Sequence, residues 1–339
     1  MKVVTFGEIM LRLAPEGYLR FTQADRFGVV YGGGEANVAV SLANFGVESQ
    51  FVSRLPKHEI GQAALNSLRR YGVDTSHIVR GGERLGIYYL EKGASQRPSK
   101  VIYDRAGSAF AASSAEDYDW NEIFRGTDWF HFTGITPALG GNIASVCLTA
   151  AREARKRGIT VSCDLNYRKK LWSKEEACRT MSEICRYVDV CIANEEDADD
   201  VFGIHAASTD VQKGILDREG YVSVADQLGK RFGFKVVAIT LRESISASDN
   251  VWSAMLYADE KAYFSRKYPI RIVDRVGGGD SFGAGLIYAM LCGWNEKKII
   301  EFAVAASCLK QTVEGDYNMV SADEVLSLAE GNASGRVQR

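Results

Sequence analysis

The chain has 339 residues, of which 46% are hydrophobic and 25% are charged, as in a globular protein with enough apolar material for a full core. Its formal net charge of -2 gives no overall attraction to nucleic acid or to anionic membranes, so any anion-binding surface must be local. The longer apolar stretches, such as residues 282–292, are interrupted by glycine and are too short to span a bilayer.

The N-terminus, MKVVTFGEIM, predicts a strand and not a signal peptide, because Glu8 and Arg12 follow a short apolar run. The seven cysteines are scattered, form no CxxC pair and lie mostly in apolar runs. This pattern predicts buried free thiols and a cytoplasmic protein, since disulfides are rare in a reducing compartment.

Apolar, β-rich runs alternate with helical patterns along the chain. Strands are predicted at residues 3–6, 50–53, 129–133, 160–164, 188–193 and 235–241. Helices are predicted at residues 36–45, 61–71, 143–157, 174–186, 222–232, 281–292, 296–310 and 322–329. Repeated units of a strand and then a helix predict a three-layer α/β fold with a mainly parallel sheet.

Two segments break this alternation. Residues 11–30 and 86–105 have extended, turn-rich patterns without a crossover helix, and GIYYLE and KVIYD within the second predict a hairpin. We predict that the two segments form a small β lid over one end of the main sheet, within a single α/β domain of residues 1–330. The last residues, 331–339, predict a frayed tail.

The most informative stretch is DRVGGGDSFGAGLIYAM, residues 274–290. Gly277, Gly278 and Gly279 directly precede Asp280, and a helix is predicted from Ser281. Consecutive glycines let backbone N–H groups converge at the positive end of a helix, which holds an anion without a basic side chain. An aspartate there makes chemical sense if it contacts the nucleophile that attacks a phosphate. The alternative is a turn followed by an ordinary N-cap aspartate.

A second glycine-rich stretch, YGGGEANVAVSLANFG, covers residues 31–46. Gly33 and Gly34 would let a hydroxylated ligand approach the backbone, and Asn37 offers an amide. The alternative is a plain turn into a helix. Neither the dinucleotide fingerprint nor a P-loop motif occurs, which argues against a nicotinamide-dependent oxidoreductase and against P-loop chemistry.

Together, the two stretches resemble the two signatures of the PfkB (ribokinase-like) carbohydrate kinases, in order and spacing, across nearly the whole chain. The resemblance implies a Rossmann-like α/β domain with a β lid that often mediates dimerisation, so we expect a homodimer. It implies ATP as the phosphate donor with Mg²⁺. It also implies Asp280 as the catalytic base and Gly277, Gly278 and Gly279 as the anion hole.

A narrower resemblance is to the 2-keto-3-deoxygluconate kinases of that family. It rests on DRVGGGD and on three further segments, YDRAGSA (103–109), HFTGITPAL (131–139) and DLNYRKKLW (164–172). In that subfamily the sugar acid is held at positions that match Gly33, Tyr88, Tyr103, Arg105, Ile135 and Arg168. The two arginines and two tyrosines would supply the donors that a carboxylate requires. The alternative for Arg105 is a surface charge on the lid.

The resemblance also implies nucleotide contacts, which we expect at Asn166, Arg168, Asn194, Thr240, Arg242, Gly277 and Gly279. ANEEDADD, residues 193–200, lies where the family has an N-x-x-E motif linked to magnesium, so Asp197 is the candidate metal residue. Which acid of residues 195–197 serves the metal stays open, and a solvated acidic helix start is the alternative. A monovalent cation near Asp274 is a further alternative, against which Arg275 counts because it replaces the family's usual threonine.

These patterns predict an ATP-dependent kinase that phosphorylates the 6-hydroxyl of 2-keto-3-deoxygluconate and gives 2-keto-3-deoxy-6-phosphogluconate. One alternative is a kinase for a neutral sugar such as fructose or ribose, against which Tyr103, Arg105 and Arg168 argue. Another is a sugar-binding pseudokinase, against which the intact GGGD argues.

Overall fold

The computed structural model describes residues 1–194, 196–205 and 218–332. In chain order its strands are β1 (Lys2–Phe6), β2 (Met10–Ala14), β3 (Gly28–Gly32), β4 (Glu48–Leu55), β5 (Ile78–Arg80), β6 (Ile87–Glu91), β7 (Lys100–Asp104), β8 (Trp129–Thr133), β9 (Thr160–Asp164), β10 (Val190–Ala193), β11 (Val236–Ser244), β12 (Asp249–Ala258), β13 (Lys261–Phe264) and β14 (Tyr268–Arg271). Its α-helices are α1 (Gly34–Asn44), α2 (Glu59–Arg69), α3 (Trp120–Ile123), α4 (Ile135–Ala138), α5 (Ile143–Lys156), α6 (Lys174–Ile184), α7 (Asp197–Phe202), α8 (Arg218–Phe232), α9 (Gly278–Leu291), α10 (Glu296–Lys310) and α11 (Ala322–Ala329).

The central sheet is mainly parallel, as the sequence predicts. Strands β5, β4, β1, β8, β9, β10 and β11 lie side by side in this order, and every neighbouring pair among them is parallel. At one end β12 pairs antiparallel with β11, and β13 and β14 both pair with β12. Two large apolar clusters pack on the sheet, one including α5, α6 and α8 and the other including α9 and α10. The fold is therefore the predicted three-layer α/β arrangement.

The central strands are buried on both faces, which explains why they read as continuous apolar runs. All five residues of β8 are buried, although they include His131 and Thr133. The polar groups of this strand are satisfied within the core, since the Nδ1 atom of His131 lies 2.8 Å from the Oγ atom of Ser162. Burial lowers the pKa of His131 to about 3, so this histidine is a neutral core residue.

A second, four-stranded sheet has the order β3-β2-β6-β7. Strand β6 pairs antiparallel with β7, which is the hairpin predicted from residues 86–91 and 100–104. Strand β2 pairs antiparallel with β3 and parallel with β6. We refer to these four strands as the lid sheet. Its strands begin and end inside the segments 11–30 and 86–105, except that β2 begins at Met10 and β3 ends at Gly32.

Several strand and helix bounds differ from the sequence analysis by a few residues, and β5, α3 and α4 were not predicted. Helix α9 begins at Gly278, three residues before the predicted start, because Gly277 has a left-handed φ of 82° and serves as its N-cap. The antiparallel strands β12, β13 and β14 were not predicted. Gly331 and Asn332 are not frayed, because their amides donate to the end of α11, while residues 333–339 of the predicted tail lie outside the described residues.

All seven cysteines are free, and five of them are buried. In the part of the chain that the structure describes, no helix combines the length and the apolar character that crossing a membrane requires.

Candidate active site

A cavity of about 540 Å³ opens at the carboxyl ends of the parallel strands, beneath the lid sheet. Ligands bind at this edge in open α/β folds. The cavity brings together every site residue predicted from the sequence, namely Gly33, Gly34, Asn37, Tyr88, Tyr103, Arg105, Ile135, Asn166, Arg168, Asn194, Asp197, Thr240, Arg242, Gly277, Gly278, Gly279 and Asp280. These residues come from both sheets and from positions throughout the chain.

The amino end of α9 forms one wall of the cavity. Within the described residues, the amides of Gly277, Gly279 and Asp280 have no backbone acceptor, whereas Gly278 N donates to Arg275 O at 3.2 Å. Free N–H groups at a helix N-terminus attract anions. The amides that remain available to an anion are therefore those of Gly277, Gly279 and Asp280, whereas the amide of Gly278 is used in the turn.

Asp280 is the third residue of α9 and not its N-cap, which argues against the purely capping alternative. One of its carboxylate oxygens accepts a 2.7 Å hydrogen bond from Nδ2 of Asn37 on α1. Burial raises the pKa of Asp280 to about 6, the Asn37 hydrogen bond lowers it, and the charge of Glu35 raises it further. A carboxylate with this pKa is ionised at neutral pH and can accept a proton.

Gly34 is a second residue of α1 that faces Asp280. A Cβ atom at position 34 would lie 3.5 Å from Oδ1 of Asp280 and 3.3 Å from Cγ2 of Thr133. The absence of a side chain here therefore leaves space directly beside the carboxylate. Gly33 has a different reason to be glycine, because a Cβ atom there would overlap the carbonyl oxygen of Glu8.

Glu35 is a site residue that the sequence analysis missed. Its Oε1 atom accepts hydrogen bonds from Thr133 N at 2.9 Å, Thr133 Oγ1 at 2.9 Å and Thr136 Oγ1 at 2.7 Å. Burial raises its pKa, and these hydrogen bonds oppose that rise. Its side chain also occupies the space that a Cβ at position 7 would need, so Gly7 accommodates it. Glu35 thus ties α1 to the end of β8 behind Asp280.

A buried charge cluster links the lid sheet to residues 277–279, which we call the glycine loop. Arg12 on β2 donates to Asp274 at 2.6 Å and to Asp316 at 2.7 Å, and Tyr88 on β6 donates to Asp316. Arg12, Asp274 and Asp316 are each at most 3% exposed. Tyr88, which was predicted to hold the sugar, therefore also links the lid to the segment beside the anion site.

Arg105 was predicted to hold the sugar carboxylate, and the structure gives it a protein partner. Its Nε atom donates to Oε2 of Glu8 at 2.8 Å, its Nη2 atom contacts the same oxygen, and its side chain is only 9% exposed. The guanidinium also lies over the ring of Tyr103, at 5.6 Å from the ring centroid. Arg105 is therefore neither a surface lid charge nor a free cation, and Glu8 is a second residue that sequence reasoning missed.

The guanidinium of Arg168 is more accessible to a ligand than that of Arg105. It is exposed, its Nη1 atom donates to the carbonyl of Tyr167 at 3.0 Å, and no carboxylate of the described residues lies within ion-pair distance. Its charge lowers the pKa values of Asp164, Asp197 and Asp280, although larger causes act on each of them. Ile135 lines the cavity at the start of α4, and its amide donates to Thr133 Oγ1 at 3.2 Å.

The candidate metal residue Asp197 and three of the predicted nucleotide residues, Asn194, Thr240 and Arg242, lie at the end of the cavity beside β10 and β11. Asn194 and Asp197 bond reciprocally, since Asp197 N donates to Asn194 Oδ1 at 3.0 Å and Asn194 N donates to Asp197 Oδ2 at 2.9 Å. Tyr167 N donates to the other oxygen of Asp197. Asp197 is thus a buried residue that organises the start of α7, and the solvated helix start is not what the structure shows. Glu195, the neighbouring acid left open above, lies outside the described residues.

Two arginines face the same end of the cavity. Arg242 is exposed, and Arg275 lies close enough that the charge of Arg242 lowers the pKa of Arg275, after the larger effect of burial. Thr240 is 7% exposed and donates to the carbonyl of Ala193. Asn166 has a positive φ of 39°, a conformation that asparagine tolerates better than most residues. Like-charged guanidinium groups beside free amides make this end suitable for phosphates.

Several residues that line the cavity were not among the predicted site residues, and they include Glu8, Glu35, Asp164, Arg275 and Asp316. Three of these five lie in segments that the sequence analysis quoted, since Glu35 follows the first glycine turn, Asp164 begins DLNYRKKLW and Arg275 lies in DRVGGGD. Glu8 and Asp316 carried no local signal and become site residues through folding.

The chain is similar to three known proteins over nearly its whole length. The crystal structure of the 2-dehydro-3-deoxygluconokinase from Thermotoga maritima is 52% identical and superposes with a TM-score of 0.94, covering 98% of this chain and 100% of that chain. The 2-dehydro-3-deoxygalactonokinase of Haloferax volcanii is 30% identical over 335 residues, 98% of each protein. The 2-dehydro-3-deoxygluconokinase of Thermoproteus tenax is 28% identical over 322 residues, 93% of this chain and 90% of that protein.

The family model described as pfkB family carbohydrate kinase matches residues 1–323, which include both glycine-rich turns, the lid sheet and every residue of the cavity named above. The chain therefore belongs to the pfkB family of carbohydrate kinases.

Proposed function

We propose that this protein is an ATP-dependent 2-keto-3-deoxygluconate kinase, an activity also named 2-dehydro-3-deoxygluconokinase. The observation that carries the proposal is the position of Asp280. Its carboxylate lies between the space left by Gly34 and the free amides at the start of α9. A base between a hydroxyl site and an anion site is the arrangement that phosphoryl transfer to an alcohol requires.

In the proposed reaction the 6-hydroxyl of the sugar acid lies beside Asp280, in the space that Gly34 leaves. Asp280 accepts the hydroxyl proton, the oxygen forms a bond to the γ-phosphorus, and the bond from that phosphorus to the leaving oxygen of ADP breaks. The amides of Gly277, Gly279 and Asp280 stabilise the negative charge on the transferred group. The lid sheet excludes water, which would otherwise accept the phosphate.

The residues present fit a magnesium ion that is held mainly by phosphates and water. Burial and then the charges of Asp197 and Asp280 raise the pKa of Asp164, so acidic groups are crowded at the floor of the cavity. Mg²⁺ usually takes one or two carboxylates and completes its coordination shell with phosphate oxygens and water. When bound, the ion would neutralise phosphate charge, and Asp197 with the neighbouring Asp164 would hold it through water.

Recognition of a sugar acid is supported by Arg168 and Arg105. Arg168 has an exposed guanidinium without a carboxylate partner in the described chain, and Arg105 uses Nε and Nη2 for Glu8, which leaves Nη1 outside that pair. A carboxylate can be held by both arginines together with Tyr103. A neutral sugar would gain nothing from this charge.

The relative from Haloferax volcanii suggests the C4 epimer, 2-keto-3-deoxygalactonate, as a second candidate substrate. The test is a coupled ADP-release assay with both epimers, gluconate, fructose and ribose. We expect the highest kcat/KM with 2-keto-3-deoxygluconate and phosphate at its 6-position. A preference for a neutral sugar would contradict the proposal. Equal kcat/KM values with the two epimers would show that both are substrates.

Variants at the two arginines test carboxylate recognition. Arg168→Ala is expected to raise KM for the sugar acid roughly ten- to a hundredfold, because a charge-assisted hydrogen bond contributes about 1.5–3 kcal/mol. Arg105→Ala is expected to raise the same KM and also to lower the melting temperature, because Glu8 would be left buried and unpaired. Arg179→Ala, which removes an exposed arginine of α6 that lines neither the cavity nor the pocket beside Arg168, is the control and should change neither value.

We further propose that the protein is a homodimer formed through the outer face of the lid sheet. Val29, Leu13, Tyr89 and Ile102 are direct neighbours across its four strands and therefore share one face. The adjacent row contains Tyr88 and Tyr103, which line the cavity, and Arg12, which is buried against Asp274 and Asp316. Val29 and Ile102 are 58% and 53% exposed, and an exposed apolar row on a sheet with two open edges favours a second copy as its partner.

Light scattering at micromolar concentration tests this interface. The wild type is expected to have the mass of a dimer, and Ile102→Glu is expected to have that of a monomer, because the glutamate would be buried against the partner. Ile60→Glu, which changes an equally exposed residue on α2, should remain dimeric. A monomeric wild type would exclude the dimer.

A further inference from the structure

Lys310 is a buried lysine that the reaction described above does not use. It is the last residue of α10 and is 0% exposed, which is rare for lysine. Its Nζ atom lies 3.3 Å from Asp274 O, 3.1 Å from Val313 O and 2.6 Å from Gly315 O. An ammonium group has three donors, so all of its hydrogen-bonding capacity is used by backbone carbonyls.

A ring of carbonyl oxygens is an environment for a cation. Such rings replace the hydration shell of monovalent ions in proteins, and the carboxyl end of a helix adds further negative potential. Burial lowers the pKa of Lys310, and the charges of Asp274 and Asp316 act in the opposite direction. The ammonium therefore lies where a bare monovalent ion would otherwise fit.

The neighbouring charges are balanced when this ammonium is present. Arg12 and Lys310 supply two positive charges, and Asp274 and Asp316 supply two negative charges, all of them buried. Both oxygens of Asp274 are already engaged, since Oδ2 accepts from Arg12 and Gly315 N and Oδ1 accepts from Val276 N. An additional alkali ion would place an uncompensated charge in the protein interior.

Lys310 packs against Gly277 on the side of the glycine loop that faces away from the cavity. Its Cε atom lies 3.2 Å from where a Cβ atom of Gly277 would be, and Gly277 in turn lies against the carbonyl of Asp316. The amides of Val273 and Asp274 donate to Gln311 O, at 2.9 and 3.2 Å. The lysine thus joins the segment before the glycine loop to the segment that follows α10, and it does not itself line the cavity.

We propose that the ammonium of Lys310 is a built-in monovalent cation that positions the glycine loop for phosphate binding, and that the kinase therefore needs no K⁺ or Na⁺. Lys310 is a positioning residue, since it acts on the nucleotide through Gly277 and its neighbours. The inference rests on the kinase activity proposed above but not on which sugar acid is the substrate.

The first test uses the wild-type enzyme in alkali-free buffer with tetramethylammonium salts, and then with KCl or NaCl at the same ionic strength. We expect kcat and KM for ATP to be unchanged by either ion. Strong activation by K⁺ or Na⁺ would overturn the proposal. If the wild type phosphorylates no sugar in any buffer, the kinase assignment fails instead, and binding of magnesium-ADP measured by calorimetry in the same buffers still tests the inference.

The second test replaces the lysine. Lys310→Ala in alkali-free buffer is expected to lose about a hundredfold in kcat/KM for ATP, the scale of a lost preorganised electrostatic group, while KM for the sugar changes little. Ethylammonium or K⁺ ions should restore a large part of the loss, and tetramethylammonium should not, because it is too large and has no N–H donors. Near-normal activity of the variant, or a loss of activity in a folded variant that no cation restores, would contradict the proposal.

The control is Lys297→Ala, which removes an exposed lysine of the same helix that pairs with Glu301. It should behave as the wild type in every buffer. The melting temperature of each variant is measured alongside, and if Lys310→Ala does not fold, the wild-type ion series alone decides the question.

Discussion

The two glycine-rich turns of this protein look alike in sequence but differ in what their glycines do. In each turn, one glycine cannot carry a side chain because another part of the backbone lies against it, namely Glu8 O at Gly33 and Asp316 O at Gly277. In each, a following glycine faces the cavity: Gly34 beside Asp280, and Gly279, whose Cβ position has no atom within 4 Å.

The difference between the turns is in what the open glycine offers. Gly34 provides space, which a hydroxyl can occupy beside the carboxylate of Asp280. Gly279 provides an N–H group without a backbone acceptor, and this group can donate a hydrogen bond to a phosphate oxygen. In the proposed reaction, two turns with the same local composition thus serve the two reactants, and Asp280 lies between them.

The largest effect is expected when Asp280 is changed, because it connects the two turns. Asp280→Asn should lower kcat about 10²–10⁴-fold, the typical contribution of a general base. The fold should persist, since an asparagine oxygen can still accept from Asn37 and the variant removes a buried charge. The measurement is kcat at saturating sugar acid and magnesium-ATP, together with the melting temperature. Near-normal kcat would refute the role of Asp280 as the base.

Two alanine variants distinguish the roles of Gly279 and Gly277 in the turn at α9. Gly279→Ala should lower kcat/KM for ATP by about a hundredfold, because the methyl group would occupy the place of a phosphate oxygen. Its melting temperature should not fall, because alanine is favoured over glycine in a helix by about 1 kcal/mol.

Gly277→Ala is the matched variant and should lose stability as well as activity. A left-handed φ costs alanine about 1–2 kcal/mol, and the overlap with Asp316 O adds to this. If both variants lost stability equally, the distinction between the two glycines would be wrong.

The turn at α1 allows a corresponding comparison with a smaller effect. Gly34→Ala should lower kcat roughly tenfold, because its methyl group displaces the hydroxyl while its contacts at 3.3 and 3.5 Å can be accommodated. Gly33→Ala should instead destabilise the fold, because of its overlap with Glu8 O. Steady-state kinetics and thermal denaturation of the pair measure this, and an unaffected kcat in Gly34→Ala would show that the hydroxyl lies elsewhere.

The smallest expected effect is a shift in pH dependence. Asp280 must be ionised to act as a base, and its pKa is raised to about 6, so kcat/KM should fall below that pH and level off above it. Asn37→Ala removes the hydrogen bond that lowers this pKa, so its acidic limb should move to higher pH. An unchanged acidic limb of kcat/KM in the variant would show that Asn37 does not influence the ionisation of Asp280.

Much of the fold follows from local sequence patterns. Strands β8 and β9 and helices α10 and α11 begin and end at the predicted residues, because their apolar runs are bounded by clear caps such as Asn295 and Ser321. Strands β12, β13 and β14 were missed. They form the antiparallel end of the sheet, where pairing with β11 and not a local pattern decides that these residues are extended.

By itself the sequence determined the α/β class, the two glycine turns and the aspartate that directly follows the second turn, because each depends on residues close together in the chain. Only the tertiary structure decided that Arg105 pairs with Glu8, 97 residues away, and that Arg12 pairs with Asp316, 304 residues away. It also decided that Lys310 lies behind the glycine loop. Charge pairing in a protein interior depends on which groups lose water together, and that is fixed by packing and not by neighbours in the sequence.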